Sequence, residues 1–288
     1  MFSSLPDPQR STAAHAVDLS HVGMENIALP LLIDNRCIHG FASVSVDLPA
    51  TQKRRGIHMS RLYQHLNEFC DEALTPRHLS QMMQTLLASQ PGSHLIHFSF
   101  EGHLYLARPA MLTEHFGWKA YPIRITTEAP QTKIRLQVEV PYSSVCPCST
   151  ELSREILLEK WQFDFHHRHD GVSSNEVYAW LKENALMAIP HNQRSVAQVE
   201  VVLSPDATEF GIKPLLDLIE QTLGTPVQTA VKRPDEQAFA IANAQHLQFC
   251  EDAARKLIQA LQRYEHGQVK VIHQESLHAH DAVATGHW

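Results

Sequence analysis

Glycine is scarce, with 11 residues in a chain of 288. Neither G-x-G-x-x-G nor G-x-x-x-x-G-K-[ST] occurs, which removes the two glycine-rich ways of cradling a nucleotide, the Rossmann turn and the P-loop. H-E-x-x-H and G-x-S-x-G are missing as well, so there is no zincin or serine-hydrolase signature. Nucleotide-binding chemistry, if present, must come from side chains. Positive charge is also short: 24 Lys and Arg stand against 31 Asp and Glu, a formal net charge of −7. No broad surface for a nucleic-acid backbone is expected, and an anionic substrate needs a local basic pocket. The longest apolar stretch, Ile27 to Ile33, is far too short to span a bilayer. Residues 1–24 lack the charged and then apolar regions of a signal peptide. A soluble, cytoplasmic chain with neither nucleic-acid nor membrane partners is the expectation.

What remains is informative. Hydrophobic residues make up 43% of the chain, enough for one large domain or two smaller ones. The cysteines are Cys37, Cys70, Cys146, Cys148 and Cys250. An odd count without a secretion signal argues against a disulfide framework, and free thiols near histidines suit metal binding or nucleophilic work. Histidine is abundant, at 20 residues, most of them expected on the surface or in packing.

The polar stretch 1–22 reads as a loose N-terminal arm. Ala42, Val44, Val46 and Leu48 then alternate with polar residues as in a half-buried strand. Met59, Leu62, Leu66 and Phe69 repeat at helical spacing. Thr75-Pro76 supplies a cap and a first-turn proline for a second helix carrying Leu79, Met82, Met83 and Leu86 inward. Strands resume at 96–106 and 134–140. The order then recurs: a strand at 197–203, a helix with Ile212, Leu215, Leu216, Ile219 and Leu223 closed by Gly224 and Pro226, a helix from Leu247 to Leu261, and a strand at 269–272. This predicts an α+β chain with two sheet-plus-helices modules in tandem, 23–150 and 189–288. Between them, 151–188 reads as a helical insertion. Its His166, His167 and His169 fit a solvated loop better than a metal site.

Six segments carry candidate chemistry. Ser143-Ser-Val-Cys-Pro-Cys-Ser149 follows a strand, where a loop holds side chains firmly yet open to substrate. A thiolate there is a good zinc ligand, although two packed cysteines in a turn fit equally well. His191-Asn-Gln-Arg-Ser195 offers an imidazole and, in Arg194, a bidentate partner for phosphate, or else a polar turn. Lys232-Arg-Pro-Asp-Glu-Gln237 offers cations and carboxylates, or simply a helix start with acids in its first turn. Glu251 either pairs with Arg255 one turn on or, beside Cys250, is partly buried and able to accept two N–H groups from a guanine edge. Glu275-Ser-Leu-His-Ala-His280, read as a strand, puts His278 and His280 on one face for acid–base work near neutral pH. Gln52-Lys-Arg-Arg-Gly-Ile-His-Met-Ser-Arg61 opens a helix with basic residues, an arrangement suited to an anion or merely solvated.

Together with Asp47-Leu-Pro, these segments resemble the type B GTP cyclohydrolase I family. The matches are His58-Met-Ser-Arg61, Cys146-Pro-Cys-Ser149, His191-Asn-Gln-Arg-Ser195, Lys232-Arg-Pro-Asp-Glu-Gln237, Cys250-Glu-Asp252 and Glu275-Ser-Leu-His-Ala-His280, running in order through nearly the whole chain. The resemblance implies a tunnelling fold (T-fold) and a homotetramer with active sites at subunit interfaces. It implies a divalent metal, zinc, manganese or iron, with Cys146, His191 and Glu236 as ligands and His278 as a further ligand or proton donor. Glu251 would anchor guanine, and Glu275 and His280 would assist proton transfers. Lys53, Arg61, Arg194 and Lys232 are the candidates for the triphosphate. The implied reaction converts GTP to 7,8-dihydroneopterin triphosphate and formate, by attack of metal-activated water at C8 and then ribose rearrangement, in the service of folate or a modified tRNA base. The stretch 151–188 separates Cys146 from His191 further than is usual, as in longer members of the family. Three rivals follow from the same residues. A tunnelling-fold nitrile reductase would use Cys146 as nucleophile with NADPH, but its lysine-bearing Glu-Ser-Lys signature is replaced here by Glu275-Ser-Leu-His278. The second rival is a non-catalytic metal-binding protein. The third is a pterin synthase-like lyase, which takes three histidines and has no need of Cys146.

Overall fold

Period-two burial decides the architecture. In a computed structural model describing residues 8–70 and 72–288, Ala42, Val44, Val46 and Leu48 are all buried on β2 (Arg36–Leu48). The apolar run 27–33 closes β1 (Leu19–Ile33), with Leu29, Leu31 and Ile33 inward. α1 (Met59–Glu68), the short β3 (Ala73–Leu74) and α2 (Pro76–Ala88) follow, then β4 (Ile96–Pro109) and β5 (Phe116–Ala129). The second half holds β6 (Ile134–Val145), α3 (Pro147–Phe165), α4 (Ser174–Asn184) and β7 (Asn192–Leu203). It ends with α5 (Ile212–Leu223), α6 (Arg233–Gln245), α7 (Cys250–Ala260), β8 (Gly267–His273) and β9 (Ala282–His287).

The nine strands form one sheet in the order β3-β1-β2-β4-β5-β6-β7-β8-β9. Every pairing is antiparallel except β1 with β3. α2 packs on β4 and β5, α5 and α6 on β6, and α7 on β8 and β9. Apolar residues fill that side, whereas the opposite face presents polar residues such as Ser43, Ser99, Gln137, Gln198 and Lys270 to open grooves. An antiparallel sheet with one packed and one open face explains why its strands alternate so cleanly. The chain is thus α+β, with the element order strand, helix, strand occurring twice.

Local signals act where the sequence places them. Thr75 Oγ1 accepts the His78 N–H at 3.1 Å and Pro76 sits in the first turn of α2. Leu79, Met82, Met83 and Leu86 are buried. Gly224 ends α5 at φ +78°, and a Cβ there would lie 2.4 Å from the His246 ring, so glycine is required twice over.

Three expectations change. Of the loose arm 1–22, residues 1–7 lie outside the described residues, and residues 19–22 belong to β1, where Leu19 faces Leu48 and Val22 faces Val46. Backbone pairing overrides the polar composition of that stretch. Leu247 precedes α7, which begins only at Cys250. β6, part of the segment 23–150, pairs with β5 at four positions and with β7 at twelve, so the sheet runs on without a break between the halves. α3 and α4 leave and return at neighbouring points, since Val145 and Asn192 are opposed.

Two buried polar clusters tie helices and strands together. Glu220 of α5 accepts from Lys119 Nζ at 2.7 Å and Tyr121 Oη at 2.6 Å, and Arg108 Nη2 lies 3.2 Å from its other oxygen. Lys119 is 5% exposed, and burial holds its pKa below the ordinary lysine value despite the carboxylate. Beneath β6, Tyr142 Oη and His273 Nε2 share a hydrogen bond of 2.8 Å. Both rings are buried, and burial pushes His273 down to about 4.

Glu220→Ala is expected to cost about 3–5 kcal/mol in urea denaturation, because it strands a buried ammonium. Adding Lys119→Met should return a measurable part of that loss, and strict additivity would contradict the pairing. His273 gives a pH signature. The unfolded chain protonates it near the ordinary value of about 6.5 and the folded chain near 4. Its contribution is therefore complete above pH ~6.5 and falls by about 3 kcal/mol as the pH drops from there toward 4. His273→Gln should flatten that part of the stability–pH curve, and an unchanged slope would contradict the assignment.

Candidate active site

The pairing of β6 with β7 brings two distant sequence motifs to one sheet end. Cys146 and His191 lie one step beyond the last opposed pair, Val145 and Asn192. The Cys146 N–H donates to the His191 carbonyl at 3.3 Å, and the His191 N–H donates to Ser149 Oγ at 3.2 Å. Cys146 caps the N-terminus of α3, with Pro147 in the first turn, where a missing N–H costs nothing. Thiol and imidazole are both half-buried. None of the five cysteines is in a disulfide.

A cavity of ≈ 490 Å³ adjoins this end, lined by Ser143, Arg194, Val227, Gln228, Glu236 and Phe239 among others. That volume lies in the range of small-molecule sites. It opens because β5 stops pairing with β6 after Val138, and the stretch 225–227 replaces it. Ser143 N donates to the Thr225 carbonyl at 2.9 Å, Thr225 Oγ1 donates to the Ser143 carbonyl at 2.6 Å, and Val227 N donates to the Pro141 carbonyl at 3.3 Å. Lys119 Nζ reaches the Val227 carbonyl at 3.4 Å, joining the buried ionic cluster to the cavity wall.

α6 separates the two acids that the sequence left undivided. Asp235 is fully buried and accepts from Lys232 N at 2.9 Å, Leu112 N at 2.8 Å, Thr113 N at 3.0 Å and Thr113 Oγ1 at 2.7 Å. These donors, led by the Thr113 hydroxyl, hold its carboxyl well below the usual range. Asp235 is thus a structural cap that pins the 112–113 turn. Glu236, next in sequence, faces the cavity.

Behind His191 lies a chain of polar groups. His191 Nδ1 is 3.0 Å from Gln193 Oε1. Gln193 Nε2 donates to Ser144 Oγ at 3.1 Å and to Glu275 Oε1 at 3.3 Å. Ser144 Oγ is 2.7 Å from Ser195 Oγ, Ser195 is opposed to Tyr142, and Tyr142 bonds His273. Gln193, Ser144, Ser195, Tyr142 and His273 are buried. Their juxtaposition follows from register: Ser144 faces Gln193, Tyr142 faces Ser195, and Ser195 faces His273. Reading the strand as starting at Ala197 hides these residues. The signal was a polar Gln193 and Ser195 in phase with Ala197, Val199 and Val201.

The remaining candidates divide. Glu275 is 13% exposed, with Oε2 3.7 Å from His191 Nδ1, so it joins the site. Residues 276–280 form bends between β8 and β9 rather than a strand, and His278 and His280 are exposed, stacked with centroids 5.0 Å apart. Apolar–polar alternation alone cannot distinguish a strand from a loop that lacks a pairing partner. Glu251 does not pair with Arg255, because Asp252 takes that cation at 3.2 Å. Instead Glu251 Oε2 accepts from Cys250 Sγ at 3.2 Å, and the residue is exposed rather than partly buried. Arg194 lines the cavity and Lys232 is exposed at the start of α6. Lys53 is exposed near α1, and Arg61 Nη1 caps the Ser89 carbonyl at 3.3 Å. His166, His167 and His169 lie exposed between α3 and α4. Among the described residues, no three His, Cys, Asp or Glu side chains gather closely enough to hold a metal ion, and no helix is long and apolar enough to cross a membrane.

Comparison with known proteins bears on the whole chain. The family described as Type I GTP cyclohydrolase folE2 matches residues 5–284. GTP cyclohydrolase FolE2 of Serratia proteamaculans is 46% identical over 291 residues, covering 99% of this chain and 94% of that protein. GTP cyclohydrolase FolE2 of Pseudomonas putida is 45% identical over 293 residues, covering 99% and 96%. Among solved structures, uricase from Arthrobacter globiformis aligns with a TM-score of 0.44 at 7% identity, over 93% of this chain and 92% of that one. With matches of this length and identity, the chain belongs to the type I GTP cyclohydrolase family.

Proposed function

We propose that this GTP cyclohydrolase opens the guanine ring of GTP in the cavity beside Cys146 and His191, giving 7,8-dihydroneopterin triphosphate and formate. The observation that carries the reading is the meeting of Cys146 and His191 at one end of the β6–β7 pair, with Glu275 beside His191 and Glu236 on the wall of the adjoining cavity. The nitrile-reductase and non-catalytic readings have no such support from relatives.

The donor set fits a divalent metal. Cys146 offers sulfur, Glu236 a carboxylate, and His191 an imidazole whose Nδ1 is engaged by Gln193, leaving Nε2 open. A mixed sulfur, nitrogen and oxygen set suits a borderline ion such as zinc, and also admits manganese or iron. A metal bound there supplies a water activated for attack near neutral pH. Glu275 beside His191 moves protons, and His278 and His280 are placed on a loop able to donate to ring nitrogens. Glu251 holds the guanine edge through its two carboxylate oxygens. Arg194 and Lys232, with Lys53 and Arg61, meet the triphosphate. Only part of this set meets within one chain, which supports a homotetramer whose sites are completed by a neighbouring subunit carrying Lys53 and Arg61. The downstream product serves pterin synthesis, for folate or a modified tRNA base, in the cytoplasm.

Purified protein stripped with a chelator is expected to release no formate from GTP. Zinc or manganese should restore formate together with a fluorescent pterin after oxidation. Absence of product with every divalent metal, or NADPH consumption, overturns the reading. Neighbouring acids give a sharper contrast. Glu236→Gln and Cys146→Ala should each lower kcat/KM by at least about 100-fold while leaving the denaturation midpoint in place. Asp235→Ala should instead lose about 1–3 kcal/mol of stability through its orphaned N–H groups. Exchange of those two phenotypes would show that the roles are reversed.

A further inference from the structure

We propose that Gln193 is a positioning residue: held by Glu275, it fixes His191 as the Nδ1–H tautomer and so leaves Nε2 unprotonated, with its lone pair free to ligate. The inference rests on the reading of His191 as a metal ligand, and it assigns a device that the ligand set alone does not contain.

A glutamine amide can point either way, and a neutral imidazole can carry its hydrogen on either nitrogen. Here each choice is forced by its neighbour. A carboxylate oxygen only accepts, so the Gln193 face at 3.3 Å from Glu275 Oε1 must be the NH₂ group. Its second hydrogen goes to Ser144 Oγ at 3.1 Å. The carbonyl oxygen therefore faces His191 Nδ1 at 3.0 Å, and that nitrogen must carry the hydrogen. Glu275 Oε2, 3.7 Å from the same nitrogen, is beyond hydrogen-bond reach but attracts the N–H dipole.

The rest of the buried chain locks the amide in place. Ser144 Oγ, already accepting from Gln193, also lies 2.7 Å from Ser195 Oγ, in hydrogen-bond contact. Ser195 is opposed to Tyr142 in the strand register, and Tyr142 Oη lies 2.8 Å from His273 Nε2. Turning the amide over would set oxygen against the Glu275 carboxylate and take away the N–H that Ser144 accepts. Ser144 and Ser195 are 1% and 0% exposed, so water cannot repair the mismatch, and a buried mismatch is costly. A ligating histidine commonly has its other nitrogen fixed by a carbonyl or carboxylate. Here a carboxylate acts through an intervening amide.

The test uses the full-length protein, histidine-labelled with ¹⁵N and freed of metal. Long-range ¹H–¹⁵N spectra should show His191 with Nδ1 protonated and Nε2 bare. Gln193→Met keeps the length but removes all three hydrogen bonds of the amide. It should move His191 toward the Nε2–H form and weaken zinc binding, measured by chelator competition, about 10–100-fold. Glu275→Ala removes the carboxylate that orients the amide and should move His191 toward a mixture of tautomers, which serves as the readout if the methionine variant fails to fold. A wild-type His191 in the Nε2–H form, or Gln193→Met with tautomer unchanged and zinc affinity within about twofold, overturns the proposal. His191→Ala separates the two claims. Undiminished zinc binding there removes His191 from the ligand set, while the tautomer of the metal-free wild type still judges Gln193.

Discussion

The register of β6 on β7 is the constraint on which the site depends. Twelve opposed pairs run from Ile134 with Leu203 to Val145 with Asn192. A slip of one residue would turn Leu136, Val138 and Val140 outward, so the hydrophobic pattern fixes the register long before the site is reached. At the far end the same register places Tyr142 by Ser195 and Ser144 by Gln193, and delivers Cys146 beside His191. The insertion 151–188 leaves and re-enters at this junction and does not disturb it. The core thus specifies the chemistry indirectly: apolar residues in the middle of two strands position polar ones at their ends.

A second constraint holds the cavity open. The 225–227 stretch takes the place of β5 beside β6, and it is kept there by Ser143, by Lys119 and, through Glu220, by α5. Burying two cations and a carboxylate is costly unless each is paired, and here every member also has a neighbour in another element. The cavity wall is therefore coupled to the first half of the sheet through β5, although its chemical groups come from the second half.

Much of this was legible in the sequence. The alternation at 42–48 and 134–140, the Thr75-Pro76 start and the Gly224 stop are local signals, and local physics set them. The motifs around Cys146, His191, Glu236 and Glu275 were visible as candidates, and the family followed from their order. What escaped was set by tertiary contact. Whether Asp235 or Glu236 faced inward was decided by Leu112 and Thr113, more than a hundred residues away. Glu251 lost its expected partner to Asp252, one position on. The 276–280 stretch alternates like a strand but has no neighbour to pair with. Gln193 and Ser195 were hidden because polar residues on the buried phase of a strand look like a loop until their partners on β6 are known.

X-ray absorption at the metal edge of the zinc-loaded protein would test the central claim most directly. One sulfur scatterer near 2.3 Å with nitrogen and oxygen near 2.0–2.1 Å, the sulfur disappearing in Cys146→Ser, is the result expected if the β6–β7 junction holds the ion. A shell of nitrogen and oxygen alone in the wild type, or a sulfur signal that survives the loss of Cys146, would contradict it.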